Sequence, residues 1–336
     1  MRRSRGMALI SVLMIFAIVS VLAIAMVERQ ANDTQRSATM LAMTQAKAYA
    51  QGAEEAVRTG LYMAWQKNKD TTHNKEEWAQ ERHFPLQPGM AFIRIRDAQG
   101  LFNLNTLSRV ASNRDRQNVR FANLLNLLGL EPNISANVVK WMDETSQADD
   151  LYQNKKTPYR AAYQGCKHSS EILAVEGMTL DAYARLEPFI TCLPITAALN
   201  VNTAPPVVLA ALDSSLTLAQ GEAIAAARGE KGFSKIEDFW TLAEVRPFTE
   251  GGGEDKNKVR WEQGDFSVKS EFFMAFIRID LAERLATSEV LLKRDAGSGA
   301  ITSLWRDFSR REARADTLAS KKTDSEDSNE VPPTLL

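Results

Sequence analysis

The first thirty residues combine a basic start with a long uncharged stretch. Arg2, Arg3 and Arg5 precede Gly6, and no charged side chain occurs in residues 7–27. An α-helix of that length rises about 30 Å, which matches the hydrocarbon core of a bilayer. The pattern therefore predicts a transmembrane helix over 7–27. Because basic residues tend to stay on the cytoplasmic side, we expect the N-terminus in the cytoplasm and the bulk of the chain outside it.

Beyond this stretch, small and apolar residues recur at helical spacing. Residues 28–67 contain no proline, so we expect the membrane helix to continue outward to about Lys67. The stripe consists of Ala31, Ala38, Leu41, Ala42, Ala46, Tyr49, Ala53, Ala56 and Val57. Small residues let neighbouring helices approach closely, which suits a bundle, whereas the alternative is one helix that covers its own domain. Both can hold.

Two later segments alternate apolar and polar residues at period two. Residues 90–107 (MAFIRIRDAQGLFNLNTL) predict a hairpin with its turn at Asp97–Gly100. Residues 266–295 alternate in the same way, and Phe276–Ile279 nearly repeats Phe92–Arg96. We expect these strands to form one antiparallel sheet that packs on the long helix and is split by the intervening segment.

The intervening segment predicts short helices in a duplicated unit. NLNT at 103–106 recurs as NVNT at 200–203, and each copy leads into an Ala- and Leu-rich stretch. In the second copy Thr203 is a candidate N-cap, followed by prolines that suit a first helical turn. SSEIL (169–173) and SKIEDF (234–239) predict the starts of further short helices.

These patterns together predict an α+β fold, in which a large helical domain is inserted into a helix-plus-sheet body. The tail is rich in Ser, Asp and Lys and lacks periodic apolar positions, so we expect it to be disordered. The predicted divisions are a leader (1–6), the transmembrane helix (7–27), the body (28–107 and 263–310), the insertion (108–262) and the tail (311–336).

Charge and motifs argue against an enzyme and against a nucleic-acid binder. The net charge of −1 gives no field that would attract nucleic acid. Residues 200–245 resemble a helix-hairpin-helix module, but the loop around Asp213–Leu218 lacks glycine, and three basic against six acidic residues give 3 − 6 = −3. The three histidines, His73, His83 and His168, belong to no HExxH, and no GxSxG or phosphate-binding glycine loop occurs. A helical module for packing or protein contact is the favoured interpretation.

Two small constellations have possible chemistry. Asp143, Glu144, Asp149 and Asp150 could hold calcium, which needs several oxygen ligands, although from the residues alone an acidic solvated loop is the favoured interpretation. Cys166 and Cys192 lie 26 residues apart, which suits one disulfide in an exported domain and two inert thiols in a cytoplasmic one. Export favours the disulfide, and the cysteines with His168 fall short of a zinc site.

A short basic leader that ends in glycine directly before the apolar helix resembles the type IV pilin and pseudopilin family. The resemblance implies that a prepilin peptidase cuts between Gly6 and Met7 and methylates Met7, and that the apolar helix is retained. Most members carry a glutamate at the fifth position after the cut, where this chain has Ser11. That glutamate is thought to neutralise the amine of the subunit above. Ser11 therefore implies a subunit at the tip of a filament.

The split sheet, the helical insertion, and the stretches TPYRAA (157–162), SSEILAVEGM (169–178) and LNVNTAP (199–205) resemble K-type minor pseudopilins of type II secretion. The resemblance implies a single-pass inner-membrane protein with a periplasmic bulk. It also implies a tip complex with I- and J-type minor pseudopilins, which primes a fibre for export of secreted protein cargo. It favours calcium on the acidic loop. The alternatives are a DNA receptor or a tip adhesin of a type IV pilus.

Overall fold

The computed structural model describes residues 4–87, 89–249, 261–281 and 284–308. The fold is α+β, as predicted, with a long N-terminal helix, an antiparallel sheet and a large insertion of short helices. The predicted tail at 311–336 lies outside the described residues, as do residues 1–3 of the leader. The helices of the described chain are α1 (Ser4–Lys67), α2 (Arg114–Leu127), α3 (Asn133–Met142), α4 (Asp149–Gln153), α5 (Leu180–Leu186), α6 (Pro206–Ala210), α7 (Leu218–Ala227) and α8 (Ile236–Trp240).

The described strands form one five-stranded sheet and two short pairs. They are β1 (Arg82–Leu86), β2 (Gly89–Asp97), β3 (Phe102–Asn103), β4 (Ile190–Thr191), β5 (Leu199–Asn200), β6 (Phe266–Ser267), β7 (Phe272–Leu281), β8 (Arg284–Arg294) and β9 (Ile301–Asp307). The sheet is antiparallel in the order β1-β2-β7-β8-β9. The neighbours β2 and β7 are far apart in sequence, so the sheet is split as predicted.

Helix α1 packs on one face of this sheet only over its last third. Ala46, Ala50, Val57 and Leu61 are buried at spacings of four or seven residues, against Ile93, Phe273, Ile277 and other inward-facing strand residues. Part of the predicted stripe faces this core. Ala31, Ala38, Leu41 and Ala56 are exposed instead. The helix therefore covers its own domain and also presents small residues outward, which are the two uses that the sequence left open.

The predicted hairpin over residues 90–107 is wrong. Strand β2 pairs with β1 and β7, whereas the chain after Asp97 makes a 3-10 turn at Ala98–Gly100 and leaves the sheet. The next strand, β3, pairs in parallel with β4. The Asp97 carboxylate starts this turn by accepting a hydrogen bond from the Gln99 amide at 2.8 Å. Beyond it the apolar residues are buried on all sides in the insertion, so their alternation did not mark a strand of the sheet.

The insertion consists of two halves that begin alike. The first runs from β3 to β4 and the second from β5 to β6, and each pair of terminal strands is parallel. Asn103 and Asn200 end the opening strands, and each side-chain oxygen accepts from the amide two residues later. Asn105 and Asn202 then bind main-chain groups farther along the same half. These matched bonds explain the repeated NLNT and NVNT motifs.

Each half has its own apolar core. The first core includes Phe121, Leu125, Ile134 and Tyr152, and the second includes Leu209, Ile224 and Phe239. The short helices predicted at SSEIL and SKIEDF are present, as a 3-10 helix over Ser169–Ala174 and as α8. The predicted insertion bounds of 108 and 262 stay an interpretation, because the framing strands end at Asp97 and resume at Phe272.

The predicted N-cap role of Thr203 is wrong. Helix α6 is preceded by Pro205 as its N-cap residue, with Pro206 in the first turn as expected. The Thr203 hydroxyl instead donates to the Asp97 carboxylate at 2.6 Å. A hydrogen bond from this hydroxyl to a charged carboxylate is stronger than the neutral hydrogen bond that it would accept from a main-chain amide at the start of the helix.

Candidate functional site

The N-terminal part of α1 carries an exposed apolar surface. The described side chains from Leu9 to Val27 are apolar with few exceptions and almost all exposed. Within the described residues this helix is long and apolar enough to cross a membrane. An apolar surface of this length is stable only in lipid or against other helices. It therefore suits a membrane anchor that can also pack in a helical bundle.

The predicted processing site lies at the start of α1. Gly6 and Met7 are in the first turns of the helix, and the Met7 side chain lies outside the described part of the chain. Cleavage between them stays a prediction. Ser11 is described and exposed on the apolar stretch. A side chain placed at this position faces the surroundings of the helix and not the protein's own core.

A second surface lies on α1 where the helix covers the sheet, on its outward side. Gly52, Ala56 and Gly60 follow one another at intervals of four residues and are exposed. A Cβ atom added at Gly52 or Gly60 would meet no heavy atom within 4 Å. We call these three residues the open helix face. Because they lack bulky side chains, another helix can approach the α1 backbone closely there.

A groove adjoins the open helix face. It has a volume of about 530 Å³, within the range of small-molecule pockets, and lies between the end of α1 and strands β1 and β2. Ala56, Gly60 and Met63 line it from the helix, and Phe84 and Ile95 line it from the sheet. Met63 and Phe84 are exposed apolar residues. The groove can therefore accept a large apolar side chain from a neighbouring helix.

Glu54 fixes the position of α1 over the sheet. Its side chain is 2% exposed and forms ion pairs with Arg58 at 2.8 Å and with Arg306 of β9 at 2.6 Å. It also accepts a hydrogen bond from the Ser303 hydroxyl. Burial acts to raise the pKa of Glu54, but the bonds from Ser303, Arg58 and Arg306 outweigh it, so the pKa lies below the ordinary 4.5. A charged, fully bonded glutamate is thus part of the body.

A buried polar cluster joins the body to the insertion. The Asp97 side chain, at the end of β2, accepts hydrogen bonds from the Gln99 amide, Asn200, Thr203 and Ser270. Burial raises the pKa of Asp97, and these four bonds offset part of that shift. Since the donors come from the second half of the insertion and from the segment before β7, one carboxylate holds three parts of the chain together.

Neighbouring side chains extend this junction toward the end of α1. Asn200 also donates to the carbonyl oxygen of Thr72, in the segment that follows α1. Arg294 of β8 donates to the Thr72 hydroxyl and to the Ser270 carbonyl oxygen. The Gln99 amide group bonds to Ala198 and to the main chain before β7. The insertion is therefore attached at the end of α1 that lies far from the apolar N-terminal stretch.

The structure does not gather the four predicted calcium ligands into one site. Asp143 pairs with Arg114 at 2.9 Å, Glu144 pairs with Arg109, and one oxygen of Asp149 accepts from the Ala161 amide. Hydrogen bonds from Thr145 and then Arg114 hold the pKa of Asp143 below its ordinary value. Asp150 is exposed. Across the described ranges no three His, Cys, Asp or Glu residues form a group that could hold a metal ion. The residues do not fit calcium in this arrangement.

Cys166 and Cys192 form the predicted disulfide, with their Cα atoms 5.6 Å apart. Both cysteines are buried in the core of the first half. The Asn105 side chain donates to the carbonyl oxygens of Cys166 and Leu193, at 2.9 Å in each case. The disulfide and Asn105 therefore tie the same two segments of the chain together.

The helix-hairpin-helix candidate is a tightly packed pair of helices, α6 and α7. A Cβ atom on Gly221 would lie 2.3 Å from the carbonyl oxygen of Pro206, so the glycine permits this contact. The loop between the helices is closed by the Asp213 carboxylate, which accepts from the amide and hydroxyl of Ser215. Arg228, one of three basic residues here, is directed to the carbonyl oxygen of Ala204. The pair is built for packing.

Two buried carboxylates that anchor the structure, Asp97 and Glu54, were not identified from the sequence. The alternating pattern of residues 90–107 places Asp97 in a hairpin turn and gives no sign that its side chain is buried. Glu54 interrupts the small-residue stripe of α1, at the spacing of its buried positions. That interruption is the one sequence feature that indicates a buried Glu54. Most of the hydrogen-bond partners of both Glu54 and Asp97 come from distant parts of the chain, so local patterns do not reveal them.

Comparisons with known proteins agree on one family. Two models described as type II secretion system protein K match residues 100–195 and 199–256, which correspond closely to the two halves of the insertion. The type II secretion system protein K of Klebsiella pneumoniae is 34% identical over 257 residues, covering 70% of this chain and 79% of the relative. That of Pseudomonas aeruginosa is 31% identical over 307 residues, covering 84% and 87%.

A solved structure is similar over most of the chain. It comes from the GspK-GspI-GspJ complex of the type 2 secretion system of enterotoxigenic Escherichia coli. The matched chain has 25% sequence identity and a TM-score of 0.68, and the match covers 82% of this chain and 99% of that one. The similarity therefore includes the insertion and not only the long helix.

Proposed function

The chain belongs to the type II secretion system protein K family and is a minor pseudopilin of that system, and we propose that it occupies the tip of the pseudopilus. The observation that carries the proposal is the position of the insertion. The junction at Asp97, Asn200 and Thr72 attaches it at the far end of α1. A further subunit stacked above α1 would meet this bulky domain, so the protein would cap a fibre by its shape.

We propose that the I- and J-type minor pseudopilins pack sideways against α1. The similar Escherichia coli protein is in a complex with GspI and GspJ. The open helix face and its groove offer a helix partner close backbone approach and a pocket for one apolar side chain. Packing of this kind needs small residues at the contact and little else.

The proposed setting follows from the N-terminus. A prepilin peptidase would cut between Gly6 and Met7 and methylate Met7, leaving α1 anchored in the inner membrane with the bulk of the protein in the periplasm. The disulfide supports an oxidising compartment. Ser11, which stands where most pilins carry a glutamate, supports a subunit with no neighbour above it. Through the tip complex the protein would prime the fibre that exports secreted cargo, with no catalytic step of its own.

Co-purification of the full chain with full-length I- and J-type partners tests the proposal. We expect a 1:1:1 complex in detergent by size-exclusion chromatography with light scattering. Gly52→Leu should weaken the complex at least ten-fold, because the new side chain meets nothing in its own chain and blocks the approach of a helix. Gln51→Leu, an exposed neighbour outside the open helix face, is the matched control and should leave the complex intact.

A monomer in the presence of both partners would contradict the tip-complex proposal and would favour a tip adhesin instead. An intact complex with Gly52→Leu would instead place the partners on another face of α1.

Calcium binding by Asp143, Glu144, Asp149 and Asp150 remains a separate proposal, supported only by the resemblance. Because Asp143 and Asp149 are bonded within the protein, calcium would have to displace Arg114 and the Ala161 amide. Isothermal titration of calcium into the calcium-stripped full chain tests this proposal. The absence of a heat signal would contradict it.

A further inference from the structure

A cavity of about 360 Å³ lies between the two halves of the insertion. It is bounded by α2, by the connection at residues 193–199, by α6 and by residues 262–265. This volume is within the range of small-molecule sites. Neither the membrane anchor nor the proposed contacts with partner pseudopilins use this cavity, which opens in the domain at the far end of α1.

The two sides of the cavity differ in chemistry. Leu193, Val208 and Leu212 line it with aliphatic side chains, which we call the aliphatic wall. Asn113, the N-cap residue of α2, and Gln117 and Arg120 on one face of that helix supply polar groups at spacings of three or four residues. An apolar wall facing a few convergent polar groups is the usual composition of a ligand site.

Gln117 is a polar side chain with unused hydrogen-bonding capacity. It is 8% exposed, and its amide group makes no side-chain hydrogen bond to any other described residue. Its amide oxygen and nitrogen are not among the fully buried unpaired polar atoms of the described residues, so the amide reaches the open space of the cavity. Since Gln117 lines the cavity, a group inside the cavity can supply the missing partner.

Arg120 adds positive charge beside Gln117. Its Nη1 donates to Asp265 at 2.8 Å, whereas Nε and Nη2 have no hydrogen-bond partner among the described residues. The same aspartate also pairs with Arg116 at 2.8 Å. Burial, the largest influence, lowers the pKa of Arg120 to about 10, and Asp265 offsets part of this shift.

Two other carboxylates near the cavity, Glu262 and Asp213, already have partners within the protein. Glu262 pairs with Arg116, and its side chain is 68% exposed, so solvent screens its charge. Asp213 closes its own loop through Ser215. Arg120, which lines the cavity, therefore shares the buried carboxylate of Asp265 with Arg116, which lies outside the cavity lining.

We propose that the cavity binds a carboxylate group carried on a short aliphatic stem, with Gln117 donating a hydrogen bond to it and Arg120 supplying the positive charge. The stem lies against the aliphatic wall. The carboxylate has two acceptor oxygens, which suit one amide N–H and one guanidinium better than a neutral group does. A free small acid and the chain end or acidic side chain of a polypeptide share this chemistry.

The test uses the full chain in dodecyl maltoside with butyrate as the probe and saturation-transfer NMR as the readout. Butyrate should bind, and butyramide, its neutral analogue, should bind at least ten-fold more weakly. Gln117→Leu should weaken butyrate binding at least ten-fold, while Gln153→Leu, at an exposed glutamine of α4, should leave it unchanged. Equal binding of butyrate and butyramide, no binding, or full affinity in Gln117→Leu would each overturn the proposal.

Two further arms complete the experiment. Ala198→Phe places a bulky side chain in the cavity and changes no residue of α2, so it should also abolish butyrate binding. This variant protects the test against misfolding of the Gln117 variant. Retained binding in Ala198→Phe would place butyrate elsewhere and overturn the assignment. Competition by a hexapeptide with a free carboxyl end indicates a polypeptide source. Butyrate binding without such competition indicates a free acid.

Discussion

The body and the insertion are held together in different ways. In the body one helix packs along one antiparallel sheet, and α1 contributes buried residues from Ala46 to Trp65 to a continuous interface. The insertion has two separate cores, helices of five to fourteen residues, and terminal strands of two residues each. Short elements bury little surface each, so single bonds between distant residues matter more there.

The difference shows where specific bonds are concentrated. The insertion carries the disulfide, the bridging side chain of Asn105 and the Asp97 junction. The body relies on apolar packing with one buried ion cluster at Glu54. We expect loss of a single link to lower the stability of the insertion strongly and loss of a single link in the body to lower its stability more moderately.

Removal of the disulfide should have the largest effect. Replacing both Cys166 and Cys192 by Ser frees a loop with a sequence separation of 26 residues, which corresponds to about 3.5 kcal/mol of unfolding free energy. Hydrogen exchange should rise in the first half of the insertion, while β7 and β8 stay protected. Urea unfolding gives the free energy. Equal loss of protection in the sheet would contradict the independence of the two regions.

Loss of the Asp97 carboxylate should come next and affect both regions. Asp97→Ala leaves four buried donors without their acceptor, so we expect a destabilisation of about 3 kcal/mol. Limited proteolysis should then separate the insertion from the body. Ser298→Ala, in the exposed loop between β8 and β9, is the control. Cleavage within the sheet in place of the junction would argue against Asp97 as the link.

Glu54→Gln should destabilise the body by about 1.5 kcal/mol, because it removes the charge that binds Arg58 and Arg306. The pKa of Glu54 is lower in the folded protein, so its stabilising contribution is present above the ordinary pKa of 4.5 and is lost as the pH falls through the folded value. Thermal unfolding of both proteins at pH 7 and pH 3 measures this. If the difference in stability between the two proteins were the same at pH 3 as at pH 7, the charge of Glu54 would not be its cause.

Ser11→Glu should have the smallest effect, with no measurable change in folding, because the side chain is exposed on the apolar part of α1. We expect the leader to be cleaved normally and the length of the fibre to change at most. Gel mobility with and without the prepilin peptidase measures processing. Lost cleavage in this variant would show that Ser11 serves the peptidase and not the tip.

The sequence was most informative where structure depends on neighbouring residues. The apolar run, the absence of proline and the small-residue stripe predicted α1 to Lys67, and the structure ends the helix there. Alternation over 266–295 predicted β7 and β8. The repeated Asn motifs predicted a duplicated insertion, and the N-terminal pattern is typical of the family.

The sequence by itself determined the long helix with its apolar start, the split sheet and the cysteine pair, because periodicity and residue type act over a few residues. Only the tertiary structure decided that Asp97 turns the chain out of the sheet, that Thr203 bonds to it, and that the four acidic residues do not meet. The partners of such groups lie up to 173 residues away, as between Asp97 and Ser270. Which hydrogen bonds these buried side chains form depends on what is buried beside them, and that is decided by the whole fold.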